Sequence, residues 1–465
     1  MTIKEKRFGA FITRGAQDWQ IFQRRDGFAR VTLGGVWEPS DGMVNGIGEV
    51  YARAVREDDG SEAVHWRKAV MLPGRSWECA LELPQGGLYR IETGLMENGA
   101  PFCPFPVGRR GDTRVHIGVG DLFVIAGQSN AVGYGRGVAE DPPELGVHIL
   151  KNSEQWSLAV HPLGDSTDSV TPENYAAQNV GTSPFLTFGR EVKRRTGLPV
   201  GLLQTAYDGQ NIRKWKPDGS GELYDLMCRR VRQAGGDVSA VLWYQGCSDA
   251  IEDIAQEYEA AFREFVEAFR TETGLTALPF LTVQLNRHKD SGGGHMDDTW
   301  ATVREAQRRL AHTMEQVSVV PSQDLELSQG DGLHTSSAGN VILGRRLAGL
   351  WWENQSLTVP TLAPEAVEAH WRNGSVEVLF ANLRGSLVLP RVPGDRPFFT
   401  LRSGVETIPC TVRVTPDNTV ELRPAESGTL PLVVSGGREA NPCMHPPRDD
   451  RTGLPVLAFD GLRIT

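Results

Sequence analysis

The chain has 465 residues, 40% hydrophobic and 23% charged, the balance of a soluble globular protein too long for one ordinary core, so two or three domains are expected. Its 58 acidic and 48 basic residues leave a formal charge of −10, which argues against nucleic acid or an anionic membrane as partner. No stretch of the sequence approaches the ~20 uninterrupted apolar residues of a membrane span.

The opening Met-Thr-Ile-Lys-Glu-Lys-Arg-Phe has no apolar signal core. The six cysteines, Cys79, Cys103, Cys228, Cys247, Cys410 and Cys443, are scattered without metal-type spacing. Free thiols in a reducing compartment, and hence a cytoplasmic protein, are expected. No CxxC, HExxH or carboxylate cluster calls for a metal, and no cofactor is expected.

Residues 1–118 read as β. Gln20–Arg24, Ala29–Leu33, Val50–Val55, Trp77–Leu83 and Gly86–Thr93 carry strand-like alternation between Gly, Pro and Asp turns, the pattern of a small sandwich. Trp19, Trp37, Trp66 and Trp77 are core aromatics on this reading, with sugar stacking as the alternative.

Residues 119–355 alternate strand and helix. Strands are expected at Leu122–Ala126, Val200–Thr205, Ala240–Tyr244, Pro279–Leu285 and Val317–Val320. Helices are expected at Phe185–Arg195, Leu223–Gln233, Ala255–Arg270, Thr299–Thr313 and Ser337–Leu350. This spacing predicts an α/β domain, a doubly wound parallel sheet with helices on both faces. Ser129 stands just past the carboxyl end of the first strand, where such sheets place their chemistry. A helix opening there offers free N–H groups to an anion; the alternative is a serine that only caps the helix. The polar stretch Gly137–Thr182 lacks a period and is too long for an idle connection, so it is expected at the mouth of the site. In Arg287–Trp300, His288 and His295 read as solvated loop histidines rather than metal ligands.

Residues 330–334 read Gly-Asp-Gly-Leu-His. Asp331 and His334 are three apart and can face the same way. The carboxylate would then hold Nδ1–H of the ring, leaving Nε2 to take a proton from a serine. A turn with an incidental histidine is the alternative. Residues 356–465 return to β character at Val376–Phe380, Ser386–Leu389, Thr411–Val414 and Leu430–Val434, after a linker marked by Pro360 and Pro364. Pro431 puts the last of these at a sheet edge or a strand's start.

Gly127-Gln128-Ser129-Asn130 together with Asp331-Gly332-Leu333-His334 resembles the SGNH hydrolase superfamily, more narrowly its sialate O-acetylesterase and carbohydrate acetylesterase branch. Ala206–Trp215 resembles the branch's Gly-containing block that ends in Trp, and Val241–Ala250 resembles its Trp-x-Gln-Gly-Glu-x-Asp block. The blocks stand in the branch's order. The resemblance implies an SGNH-like catalytic domain and is compatible with the N-terminal β-sandwich-like domain; the Gly and Pro breaks of residues 356–465 suggest a second β-sandwich-like domain at the C-terminal side. It implies an acyl-ester hydrolase with Ser129 as nucleophile, His334 as general base and Asp331 orienting the ring. The oxyanion hole would be the backbone N–H groups of Ser129 and Gly209 and the side-chain amide of Gln245. Two departures stand out: Cys247 where the branch has Glu, and Asp208-Gly209 where Gly-Gly is common. Cys247 reads as packing rather than as a second nucleophile.

The expected reaction is removal of acetyl groups from acetylated sugars. Gln128, Asn130, Arg213, Trp215 and Tyr244 are candidate substrate contacts, with Lys214 and Trp243 nearby. Arg213 or Arg287 would supply the cation that the carboxylate of sialic acid wants, although each also reads as an ordinary surface arginine. The expectation is therefore acetylated neutral oligosaccharides, with acetylated sialic acid as the narrower case. Rival readings are another acyl ester of the same superfamily, acyl transfer to a second sugar, and a glycan-binding protein with a vestigial site.

Overall fold

The computed structural model describes residues 8–40, 47–97, 110–170, 180–289, 294–356, 359–425 and 430–465. Cys103, residues 171–179 of the Gly137–Thr182 insert and Gly292-Gly293 lie outside them.

Six parallel strands form the central sheet in the order Val147–Leu150, Val200–Gln204, Thr113–Gly127, Ala240–Tyr244, Phe280–Val283 and Val317–Val320. A short strand, Trp156–Leu158, adds antiparallel to the first edge. Five of the six parallel strands are buried at every residue, which explains their unbroken apolar runs. Val124, Val241 and Phe280 are in register and so point the same way, while Phe123 is one residue out and points to the opposite face. On the Phe123 face, Phe188 and Trp351 meet that ring edge-on at 4.8 and 5.0 Å. They belong to the helices Phe185–Thr196 and Ser337–Asn354. On the other face, Phe280 receives Phe262, Phe265 and Phe269 of the helix Tyr258–Thr273. The sheet is therefore covered on both sides, as a doubly wound fold requires.

The expected strands and helices are present, with ends shifted by a few residues. The main difference lies in Gly137–Thr182, which holds the strands Val147–Leu150 and Trp156–Leu158. A histidine and a polar turn hid them. The His148 ring is buried; its Nδ1 is 2.7 Å from the Trp19 carbonyl, and its Nε2 accepts from the Gly146 N–H. Burial pushes that ring down to about 4, against the pull of the Trp19 carbonyl.

The strand Thr113–Gly127 runs unbroken across residues 118 and 119. Its first half pairs with Gly86–Glu97 and Ile21–Gln23, and its second half with the central sheet. A second N-terminal sheet of four strands packs over this first half around Trp77, Leu33, Tyr89 and Ile117, giving a sandwich-like unit. Trp37 and Trp77 are in that core. Two further four-stranded sheets enclose a C-terminal core of Val376, Leu401, Leu422 and Val434. There the last expected strand starts at Val433, two residues past Pro431. Buried Arg304 rivets this unit to the catalytic one. Its guanidinium donates to the carbonyls of Leu285 and Asn286 on one side and of Gly437 and Glu439 on the other.

Candidate active site

The first parallel strand ends at Gly127, whose φ is +129° and where a Cβ would lie 2.2 Å from the Tyr244 carbonyl oxygen. Only glycine fits that conformation and that approach. One helical turn follows, Ser129–Val132, closed by Gly133. The position before the turn belongs to Gln128, whose side chain makes no capping bond, so Ser129 is not a cap. The Gln128 amide instead crosses to the next strand end. Its oxygen accepts from the N–H groups of Gly246 and Ser248 at 3.0 and 3.2 Å, and its nitrogen donates to Ser248 Oγ.

His334 arrives from a loop 205 residues away, and its Nε2 lies 2.8 Å from Ser129 Oγ. Its Nδ1 lies 2.6 Å from Asp331 Oδ2. The other oxygen of Asp331 accepts the backbone N–H groups of Leu333 and His334, each at 2.8 Å. Burial opposes the charge of Asp331, but these bonds and the ring outweigh it and hold the carboxyl below its usual range. The loop is tied down by Lys289 N–H to the Gly332 carbonyl, by Ser328 N–H to the His334 carbonyl, and by Thr335 N–H to Asn130 Oδ1.

The N–H groups of Ser129 and Gly209 are both unused within the described fold. Gly209 has φ +67°, with open space where a Cβ would stand. The Tyr207 N–H, bonded to the Gly127 carbonyl at 2.9 Å, brings that turn beside Ser129. Gln245 is a correction. Its amide nitrogen donates both hydrogens, to the Gln210 carbonyl at 3.0 Å and to Asp249 Oδ2, in a fully buried position. It braces the Gly209 loop and has no hydrogen left for an oxyanion. Asp249 also accepts the Ile212 N–H at 3.0 Å. Burial pushes its carboxyl up to about 6, against those two bonds.

Most of the expected sugar contacts are also corrected. Trp215 is wholly buried and packs edge-on to Trp243 at 5.0 Å. Tyr244 is 1% exposed and shares a hydrogen bond with Thr335 Oγ1. Gln128 and Asn130 are buried braces. Arg213 is exposed, but Glu257 holds it in a two-pronged ion pair, and Lys214 is paired with Glu222. Arg287 is no surface arginine; it is buried, with its guanidinium on the carbonyls of Gln323 and Leu325. Burial pushes the Cys247 thiol up to about 12, which removes it as a nucleophile. His288 contacts Met296 and stacks on Trp300, while His295 pairs with Asp253, so the two histidines serve different partners.

One residue of this site carried no sequence signal. The Tyr134 ring stacks on His334, with centroids 4.9 Å apart and planes 24° apart, and its hydroxyl donates to Asp208 Oδ2 at 2.9 Å. It sits in a Gly-rich run that reads as a loop, where nothing distinguishes an aromatic that packs on the base.

A serine at a strand's carboxyl end, backed by an imidazole and a carboxylate, on a doubly wound sheet, fits the class of hydrolases that act on acyl groups. The comparisons narrow this class. The sequence model for the carbohydrate esterases of the sialic acid-specific acetylesterase type matches residues 119–353, and the chain belongs to this family of carbohydrate acetylesterases. A probable carbohydrate esterase of Arabidopsis thaliana is 32% identical over 257 residues, covering 50% of this chain and 90% of that protein. A carbohydrate acetylesterase from Xanthomonas citri superposes with a TM-score of 0.68 at 21% identity, over 97% of this chain and 99% of that one. The latter likeness extends the shared fold to the flanking β units.

Proposed function

We propose that the chain removes acetyl groups from acetylated sugars through an acetyl-enzyme on Ser129. Ser129 Oγ attacks the acetyl carbonyl while His334 Nε2 takes the hydroxyl proton. The tetrahedral intermediate collapses, and the same proton goes to the departing sugar oxygen. Water, deprotonated by His334, then attacks the acetyl group; the bond from the acetyl carbon to Ser129 Oγ breaks, His334 returns the proton to Oγ, and acetate leaves. Asp331 fixes the ring's tautomer. The developing oxyanion is met by the N–H groups of Ser129 and Gly209. The observation that carries this reading is the chain of 2.8 and 2.6 Å contacts from Ser129 through His334 to Asp331.

Neutral oligosaccharides are the favoured substrates. The arginines suggested for a sialic acid carboxylate are engaged by Glu257 or by buried carbonyls, and Asp208 adds a negative charge beside Gly209. The proposed units are 1–118, 119–355 and 356–465. No helix among the described residues is long and apolar enough to cross a membrane, and the free thiols of the described cysteines support a cytoplasmic location.

Hydrolysis of p-nitrophenyl acetate by wild type and by Ser129→Ala tests the chemistry, with a fall of about a thousandfold or more expected. A Ser129→Ala rate equal to wild type overturns the mechanism. Wild-type protein that binds glycans but releases no acetate makes it a binding protein. Acetate release from acetylated xylo- or gluco-oligosaccharides is expected to exceed that from O-acetylated sialic acid; the reverse order removes the neutral-sugar preference.

A further inference from the structure

Three features of Tyr134 are independent of one another. Its ring lies nearly parallel to the His334 imidazole. Its hydroxyl reaches Asp208, the neighbour of Gly209 in sequence. Its backbone is clamped on both sides: Gly181 N–H donates to the Gly133 carbonyl, Gly135 and Thr182 exchange two hydrogen bonds, and Arg136 N–H donates to Ser328 Oγ. Rotating the ring away gives up the stack and the Asp208 bond, and moving the main chain breaks a small network. Burial, and then the bond to Asp208, push the phenol's ionisation well above its ordinary range, so the hydroxyl stays a donor.

We infer that Tyr134 is a positioning residue that sets the spacing between the two halves of the machinery, His334 on one side and the Gly209 turn on the other. It rests on the roles proposed above for Ser129, His334 and Gly209. An aromatic face against one side of an imidazole limits ring rotation and favours the imidazolium formed when Ser129 gives up its proton. A hydrogen bond to Asp208 limits movement of the turn whose N–H meets the oxyanion. Both effects grow as charge develops, so they act on the transition state more than on substrate binding. Asp208 thereby gains a use: its carboxylate is the acceptor that Tyr134 needs.

The test uses p-nitrophenyl acetate, which has no sugar and so isolates the chemistry. Tyr134→Leu removes ring and hydroxyl and is expected to lower kcat about thirtyfold, with KM within about twofold. Tyr134→Phe keeps the ring and is expected to recover most of that loss, leaving kcat down about threefold. Asp208→Ala is expected to match Tyr134→Phe, and the double variant to fall no further than either alone, because both cut one bond. A wild-type kcat in Tyr134→Leu, a loss carried by KM alone, or additive effects of Tyr134→Phe and Asp208→Ala would overturn the inference. Should Tyr134→Leu not fold, the Phe and Ala cycle decides. Ser129→Ala with full activity marks failure of the mechanism itself; an inactive Ser129→Ala beside an unaffected Tyr134→Leu marks failure of the positioning role alone.

Discussion

Ser129 and His334 meet at 2.8 Å but are held there by different physics. Ser129 stands two residues past a strand of fifteen residues, Thr113–Gly127, locked into the N-terminal sheets at one end and into the middle of the central sheet at the other. His334 sits on an irregular loop between the last parallel strand and the helix Ser337–Asn354. That loop is held by the N–H groups of Lys289 and Ser328, which donate to it, and by Asn130 Oδ1, which accepts from Thr335; through Lys289 it touches the C-terminal unit, since Asn441 donates to the Lys289 carbonyl. Sheet register positions the serine, and any change there is felt as packing. The base depends on a few polar contacts, so changes there alter chemistry before they alter stability.

The sharpest separation of the two arms is Asp331→Asn. Asparagine keeps an oxygen for the N–H groups of Leu333 and His334, so the loop retains its shape. Its amide then faces Nδ1 with a donor and favours the wrong tautomer. The rate on p-nitrophenyl acetate is expected to fall about a thousandfold or more, while the urea unfolding midpoint stays close to wild type. A variant that keeps its rate would move the orienting role elsewhere; one that unfolds would show that the loop carries stability after all.

The complementary change is Gly127→Ala. It puts a Cβ 2.2 Å from the Tyr244 carbonyl at φ +129°, with no long side chain nearby to yield. The strand end has to shift, at a cost of about 3 kcal/mol from strain and overpacking combined. Here the midpoint of unfolding is expected to drop together with the rate. A loss of rate without loss of stability would make the strand arm as local as the loop arm.

The same contrast governs what the sequence disclosed. The parallel strands were legible because burial on both faces demands unbroken apolar runs, and Asp331 beside His334 was legible because their pairing is local. The strand Val147–Leu150 was not, since His148 interrupts its run and is tolerated only through a backbone carbonyl supplied by Trp19. Trp215 and Tyr244 read as sugar contacts because an aromatic in a functional block looks alike whether it faces the cleft or the core; only their tertiary partners, Trp243 against Trp215 and Thr335 on Tyr244, decide that both face inward. The Gln245 amide is the same case for a polar group, since Asp249 and the Gln210 carbonyl claim it through tertiary contacts. Tyr134 escaped for the opposite reason: its partners lie at positions 208 and 334, and nothing local marks it.

Between the two arms stands a third, the Gly209 turn, which hangs from a strand end but is fastened by Asp249. Because that carboxyl is raised from 3.8 to about 6 by burial, the folded protein holds its proton where the unfolded chain has lost it. Stability from this group is therefore greatest below about pH 4 and declines as pH rises to about 6, above which the cost is complete. Between pH 4.5 and 7.5 the linkage amounts to about 2 kcal/mol. Asn at 249 cannot titrate, so whatever the offset of Asp249→Asn, its unfolding free energy should gain on wild type by about that amount over this interval. Urea titrations at the two pH values read the slope directly. Parallel curves would mean that the turn is fastened by an ionised carboxylate at all these pH values, which would place it with the Asp331 loop rather than with the buried strand that carries Ser129.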